Sequence, residues 1–218
     1  MAERKLDIFN FSASDYDAWF ENDGRLIFAS EVEALRQALP LLPRPWIEVG
    51  VGSGRFAQAL GISIGLDPSR SLLKMAKNRG ISVLSGRGEV MPFKDGVFGT
   101  VFFIVTLCFV DSPTGTLKEA ARLLRSDGKA VLGLVLRESP WGKFYQAEKQ
   151  RGHHFYKYAT FYTYAEVEMF LMRTGFFIEK VISTLFQGAG AVDHIGLPRQ
   201  GYSADAGFTV MLARRGLA

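Results

Sequence analysis

Seven short apolar runs, at residues 45–50, 62–66, 81–84, 100–105, 130–136, 176–183 and 208–213, constrain this chain more than any other feature of it. Segments of helical period, at 56–60, 69–79 and 116–124, separate the early runs. Strands that are apolar on both faces must be covered on both. The alternation therefore predicts an α/β fold with a parallel sheet between helical layers. The last two runs are joined by residues 187–207, which lack clear helical period. That favours an antiparallel pair at one sheet edge, since parallel pairing needs a longer crossover. Ahead of the first run, residues 15–20 and 27–39 read as amphipathic helices that cap the sheet.

The bulk properties exclude several classes. At 218 residues, with 48% apolar and 22% charged residues, the chain has the length and composition of one ordinary soluble domain. Its longest apolar run, "VFFIVTLCFV" at 101–110, is too short to cross a bilayer, so no membrane association is expected. The N-terminal "MAERKLDIFNF" lacks the apolar stretch of a signal peptide. A single cysteine rules out an internal disulfide framework and points to a reducing cytoplasm. The net charge of +4 is spread along the chain, which argues against specific nucleic-acid binding. Oligomeric state is not legible.

Between the first run and the first helical segment lies "IEVGVGSGRF", residues 47–56. Glycines at 50, 52 and 54 let a backbone approach a ligand closely. Dinucleotide binding wants its third glycine three positions after the second, and a phosphate P-loop wants Gly-Lys-Ser/Thr; neither is present. Glu48, two residues before the turn, is a poor neighbour for pyrophosphate and a good one for a ligand carrying an ammonium and a sulfonium. Asp67 ends the next strand, seventeen residues after Gly50, where a carboxylate can accept from both hydroxyls of a ribose. An Asx turn before Pro68 is the alternative reading of Asp67. Ser69 is a candidate N-cap for the following helix.

The motifs "EVGVGSGRF", "GLDPS", "GEVMPF" and "LKEAARLLRSDGK" follow one another in order over residues 46–136. Together they resemble the class I S-adenosylmethionine-dependent methyltransferases, in the small-molecule, methyltransferase type 11-like branch. The resemblance implies a Rossmann-like seven-stranded sheet of order 3-2-1-4-5-7-6, strand 7 antiparallel, with helices on both faces. It implies one domain: a helical cap at 1–44, a cofactor-binding core at 45–136, a substrate-cover insert and helix at 137–175, and a C-terminal strand pair at 176–218. It also implies roles, with S-adenosylmethionine as cofactor. Glu48 and the backbone of Gly50, Gly52 and Gly54 would hold the methionine portion, and Asp67, with Pro68 beside it, the ribose. The segment Arg87–Glu89, with Gly88 and Glu89 as cofactor contacts, would frame the adenine, and Thr106 and Leu107 would line the floor. Tyr16 and Trp19, three apart on one helical face, would close over the methionine end, or else dock that helix on the sheet.

Two positions depart from the family pattern. Arg87, a donor-only side chain, stands where an aspartate commonly accepts from the adenine amino group. Gly99 replaces an aspartate often found after Phe98, at a position expected to be structural.

In-line methyl displacement needs alignment and dryness more than a catalytic triad, and no triad is present. His153, His154 and His194 are candidate general bases. No acid lies at metal-ligand spacing beside the adjacent histidines, so no metal is expected. Trp141, Tyr145, Tyr156 and Tyr158 belong to an aromatic-rich segment that either walls a substrate site or packs a helix on the sheet. The absence of an Asn-Pro-Pro-Tyr-like motif and of a Pro-Cys pair leaves a small molecule as the expected methyl acceptor. A non-catalytic S-adenosylmethionine-binding sensor or partner subunit, and a nicotinamide-dependent oxidoreductase, are the alternatives.

Overall fold

The computed structural model describes residues 9–216; the first eight residues, most of the charged N-terminal stretch, and the last two lie outside the described residues. Two helices, α1 (Ala13–Trp19) and α2 (Arg25–Arg36), precede the first strand. Then follow β1 (Trp46–Val49), α3 (Arg55–Leu60), β2 (Ile64–Asp67), α4 (Arg70–Asn78), β3 (Ser82–Ser85), β4 (Phe98–Ile104), α5 (Pro113–Leu123) and β5 (Leu124–Leu134). The remainder comprises α6 (Pro140–Gln150), α7 (Tyr164–Arg173), β6 (Phe176–Thr184), β7 (Arg199–Gln200) and β8 (Phe208–Arg215).

These strands form one sheet of order β3-β2-β1-β4-β5-β8-β6-β7. β1 to β5 pair in parallel, and β8 runs antiparallel between β5 and β6. The expected order and the antiparallel last strand are therefore present, with one strand more than expected. β7 arises inside the segment 187–207, which folds back so that Ser183 and Ile182 pair with Arg199 and Gln200. Two residues, one basic and one amide, carry no period-2 signal, which is why the sequence reads as loop there.

Side-chain alternation along the strands sorts the interior into two layers. On one face Trp46, Phe102, Val131, Phe208 and Val210 pack against Leu35 of α2, Phe56 and Leu60 of α3, Ala76 of α4 and Trp141 of α6. On the other, Ile47, Val49, Phe103, Leu132 and Met211 pack against Leu117 and Leu123 of α5 and Val167 and Leu171 of α7. Glu48 alternates with Ile47 and Val49, so it points with Trp46 into the first layer.

Caps set several helix starts. Ser69, Ser112 and Ser139 each accept a backbone N–H three residues on, and Thr163 with Glu166 forms a full capping box for α7. The short helix α1 is fastened by charge. Asp17 accepts from Arg55 Nε at 2.8 Å and from an Arg79 guanidinium nitrogen at 2.7 Å, with all three side chains largely buried. Burial pushes the Asp17 carboxyl up, but hydrogen bonds from Arg55, Ser53 and Arg79 outweigh it and hold it at about 2. Gly99 is structural as expected, because a Cβ there would lie 2.3 Å from the Pro43 carbonyl oxygen. Among the described residues no helix is long and apolar enough to cross a membrane.

Candidate active site

At the carboxyl ends of β1, β2 and β4 the sheet leaves a cavity of about 240 Å³, the crevice that an open α/β sheet forms where its strand order reverses. The glycine turn makes its floor. Gly50, Gly52 and Gly54 have φ of 75°, 53° and 84°, a region that side chains with a Cβ rarely adopt. A Cβ on Gly50 would fall 2.3 Å from the Thr106 side chain, whose hydroxyl donates to the Ile104 carbonyl at 3.0 Å. Gly54 has a different task. A Cβ there would meet Ala76 of α4 at 3.0 Å, so it permits close helix packing and does not line the cavity.

Asp67 forms one wall and is 8% exposed. One carboxylate oxygen accepts from Gly52 N–H at 3.0 Å, the other from Ser69 N–H at 2.8 Å. The Asx turn and the strand-end carboxylate are therefore one arrangement: the same group that turns the chain into α4 also pins the glycine turn. Burial lifts its carboxyl to about 6, against the pull of the Ser69 and Gly52 amides.

Glu48 lies beneath the turn, 1% exposed and outside the cavity wall. Its Oε2 has no hydrogen-bond partner, and burial, with Asp67 nearby, raises its carboxyl well above the usual range although the Ala57 amide opposes this.

Gly86, Arg87, Gly88 and Glu89 form the wall after β3. Glu89 accepts from Asp111 N–H at 2.8 Å and Ser112 N–H at 3.3 Å, which ties this wall to the start of α5. Arg87 spans the rim, ion-paired with Asp111 and, at 3.5 Å, with Glu89. The roof is aromatic. Tyr16 of α1 would stand 3.7 Å from a Cβ on Gly52, and Phe9 packs edge-on against Tyr16 and Phe109. Burial, with Asp67 and Glu48 close by, raises the Tyr16 phenol.

The methyltransferase domain family matches residues 47–132, which hold the glycine turn, Asp67, the Arg87–Glu89 wall and Thr106. An uncharacterised protein of Mycobacterium tuberculosis is 41% identical over 203 residues, covering 92% of this chain and 71% of that protein. A crystal structure from Thermotoga maritima, described as an S-adenosylmethionine-dependent methyltransferase and possible histamine N-methyltransferase, is 36% identical, with a TM-score of 0.89. That alignment covers 96% of this chain and 99% of the other. The chain belongs to the class I S-adenosylmethionine-dependent methyltransferases. The fold extends to a DhpI–SAH complex, with a TM-score of 0.69 at 16% identity over 100% and 98% of the two chains.

Of the residues expected to hold cofactor in this methyltransferase, Tyr16, Gly50, Gly52, Asp67, Pro68, Gly88, Glu89 and Thr106 line the cavity. Glu48, Gly54, Trp19 and Leu107 do not. Trp19 turns away to pack on Gly24 and Phe20, because three residues along α1 rotate it off the Tyr16 face far enough to miss the opening. Leu107 is buried in the layer of α5 and α7.

The histidines also lie elsewhere. His153 stacks on Tyr156 with ring centres 4.4 Å apart, His154 is 2.8 Å from the Ser12 hydroxyl, and exposed His194 pairs with Asp193 at 2.6 Å. Trp141, Tyr145, Tyr156 and Tyr158 are not on this cavity wall. Trp141 is a core residue whose indole N–H donates to the Gln187 carbonyl at 2.7 Å. Tyr158 lies under the Lys157 ammonium, 5.0 Å from its ring centre. Among the described residues no cluster of His, Cys, Asp and Glu is arranged to hold a metal ion.

Sequence reasoning missed Phe9, Ser69, Leu72, Val105, Phe109 and Asp111 as cavity residues. Phe9 and Phe109 carried a usable signal, as aromatics flanking segments already assigned to the site. Val105 carried none: it directly follows β4 at φ 51°, a left-handed conformation that a β-branched residue enters only under tertiary constraint.

Proposed function

We propose that this protein binds S-adenosylmethionine in the cavity and promotes transfer of its methyl group to a small-molecule acceptor. The observation that carries the reading is the cradle around Gly50, Gly52 and Asp67. Gly50, lacking a Cβ, lets the turn pass against Thr106, and Asp67 pins the turn at Gly52 with a buried carboxylate on the cavity wall. Each Asp67 oxygen uses one lone pair on a backbone amide and retains another for a ribose hydroxyl. The orphaned Oε2 of Glu48 adds an unused acceptor behind the turn, whose ionised form the positive methionine end would favour on binding. The Gly88 amide and the Glu89 wall would frame the adenine, and Tyr16 with Phe9 would exclude water from the roof.

When bound, S-adenosylmethionine supplies an electrophilic methyl carried by a sulfonium. The chain's own part is to hold, orient and desolvate, which accords with the position of all three histidines outside the cavity. The lone cysteine and the lack of long apolar segments fit a cytoplasmic setting.

Thermal shift and calorimetry with S-adenosylmethionine, S-adenosylhomocysteine, NAD and NADP test the cofactor. The first two should stabilise the fold, by about 2.7 kcal/mol at a hundredfold excess over Kd, and the nicotinamide cofactors should not. Stabilisation by NAD alone would sink the reading. Binding of S-adenosylmethionine with no S-adenosylhomocysteine released across a broad metabolite library would favour the non-catalytic alternative.

A further inference from the structure

The cavity wall after β3 crosses the ends of two neighbouring strands before it meets the loop after β4. Gly86 N–H donates to the Asp67 carbonyl at 3.2 Å, and a Cβ on Gly86 would meet the Leu66 side chain at 2.7 Å, so Gly86 lies over the end of β2. A Cβ on Gly88 would lie 3.4 Å from Val49, at the end of β1. Glu89 then accepts the backbone N–H of Asp111 at 2.8 Å. The segment thus leads from the proposed ribose carboxylate to Asp111, and both of these acids line the cavity.

Among the described residues the acids on the cavity wall are Asp67, Glu89 and Asp111, and each is committed differently. Asp67 pins the glycine turn at Gly52 and the start of α4 at Ser69. Glu89 is a strut between two loops: its Oε1 accepts two backbone N–H groups, from Asp111 and Ser112, and its Oε2 faces Arg87 Nε at 3.5 Å. Asp111 has its main chain fixed by Glu89 and its Oδ2 paired with an Arg87 guanidinium nitrogen, while its side chain stays 46% exposed. A carboxylate has about four acceptor positions, and one guanidinium nitrogen does not exhaust them. The pair therefore orients Asp111 at the cavity mouth as an acceptor, a role that Arg87 itself cannot fill because it only donates.

We propose that Asp111 reads the base of the cofactor by accepting a hydrogen bond from the adenine amino group, and that Arg87 is the residue that positions its carboxylate. This rests on the S-adenosylmethionine-binding reading above. With the ribose at Asp67 and the methionine end at the glycine turn, the wall from Gly86 to Asp111 is the part left for the base. Adenine presents an exocyclic amino donor beside ring-nitrogen acceptors. The backbone amides of that wall can serve the ring nitrogens, and Asp111 supplies a charged acceptor for the amino group, the stronger kind of hydrogen bond. A base without the amino group leaves that carboxylate with nothing to accept, which turns one contact into a preference.

The test uses the intact protein, S-adenosylhomocysteine and its 6-desamino analogue, in which hydrogen replaces the adenine amino group and the ring nitrogens stay. Both ligands are titrated calorimetrically into the parent, Asp111→Ala, Arg87→Met and Arg87→Lys, with urea denaturation as the folding control. The parent should bind S-adenosylhomocysteine about tenfold or more tightly than the analogue. Asp111→Ala should bind the two within about threefold of each other. Arg87→Met should narrow the parent's preference by about threefold or more, and Arg87→Lys, which keeps a cation for Asp111, should retain it. The role of Asp111 is overturned if the parent binds both ligands alike or if folded Asp111→Ala keeps the full preference. The role of Arg87 is overturned if Arg87→Met keeps the full preference or if Arg87→Lys loses as much as Arg87→Met. Should Asp111→Ala fail to fold, Asp111→Asn, with a neutral acceptor in the same place, must show a smaller preference than the parent, and an unchanged one overturns the assignment. Failure of the parent to bind S-adenosylhomocysteine would sink the cofactor reading, whereas binding it without regard to the amino group would sink this inference alone.

Discussion

Replacing Asp67 by asparagine removes a charge from the centre of the cofactor cradle while keeping its shape. Two effects on stability oppose each other. Burial lifts the carboxyl from 3.8 to about 6 in the fold, a rise of about 2. Keeping it ionised above pH 6 therefore costs the fold about 3 kcal/mol, which asparagine removes. Against this, asparagine has one acceptor oxygen where Asp67 uses two, for Gly52 and Ser69. One buried N–H must then face an NH₂ group, at about 1.5–3 kcal/mol for a lost charge-assisted bond. The terms nearly cancel, so Asp67→Asn should be within about 1–2 kcal/mol of the parent at pH 7.

Cofactor affinity has no such compensation. Ribose hydroxyls donate to the charged form, and losing it should weaken S-adenosylmethionine binding about ten- to a hundredfold, at 1.4 kcal/mol per factor of ten. The pH dependence follows with a definite sign. Because the folded pKa is raised, the stability contributed by Asp67 is fully present below about pH 3.8 and lost as pH rises towards 6. Asp67→Asn should gain on the parent across that window, while parent affinity for the cofactor should rise as pH passes 6. Glu48 titrates nearby, so the parent-minus-variant difference is the quantity to read. Urea denaturation and calorimetry at pH 5 and 7.5 measure both. A folded Asp67→Asn that binds within twofold of the parent at pH 7.5 would refute the ribose assignment.

Two other perturbations test the frame around the cradle. Gly50→Ala sets a methyl group 2.3 Å from Thr106 at a φ of 75° and should cost S-adenosylmethionine more than a hundredfold in affinity by calorimetry; a normal Kd would show that the turn is looser than its geometry implies. Asp17→Asn unfastens α1 from Arg55 and Arg79 and should lower stability by about 2 kcal/mol at pH 7, since a carboxyl held at about 2 contributes above pH 3.8 and loses that contribution as pH falls through 2. An unchanged urea midpoint for Asp17→Asn at pH 7 would show the clamp to be energetically idle.

The parallel sheet, its antiparallel last strand and the glycine turn with its strand-end acid were legible from local chemistry, while the strand order came from the resemblance to the family. Unbroken apolar runs such as 100–105 and helical segments such as 69–79 announce strands buried on both faces and their crossovers. Glycines at 50 and 52 announce a backbone that must adopt positive φ, and an acid at a strand end announces a polar task. None of these needs a distant partner to be recognised. Other features depend on what meets them across space. Glu48 and Gly54 belong to the same turn as Gly50, but strand alternation sends Glu48 into the helical layer, and the approach of α4 gives Gly54 to packing. Trp19 and Tyr16 share a helix, and only the angle at which Asp17 docks α1 brings Tyr16 alone over the cavity. His153, His154 and His194 were candidates by residue type, and tertiary placement put each against another partner. Glu31 is the opposite case. On a helical wheel it is one acid among the α2 residues; folding leaves it 6% exposed, and burial lifts its carboxyl to about 8. Sequence determines which groups a chain can offer at each turn and strand end, because those constraints act within a few residues. Only the tertiary structure decides which of them lose water and which find a partner, because burial depends on the rest of the chain.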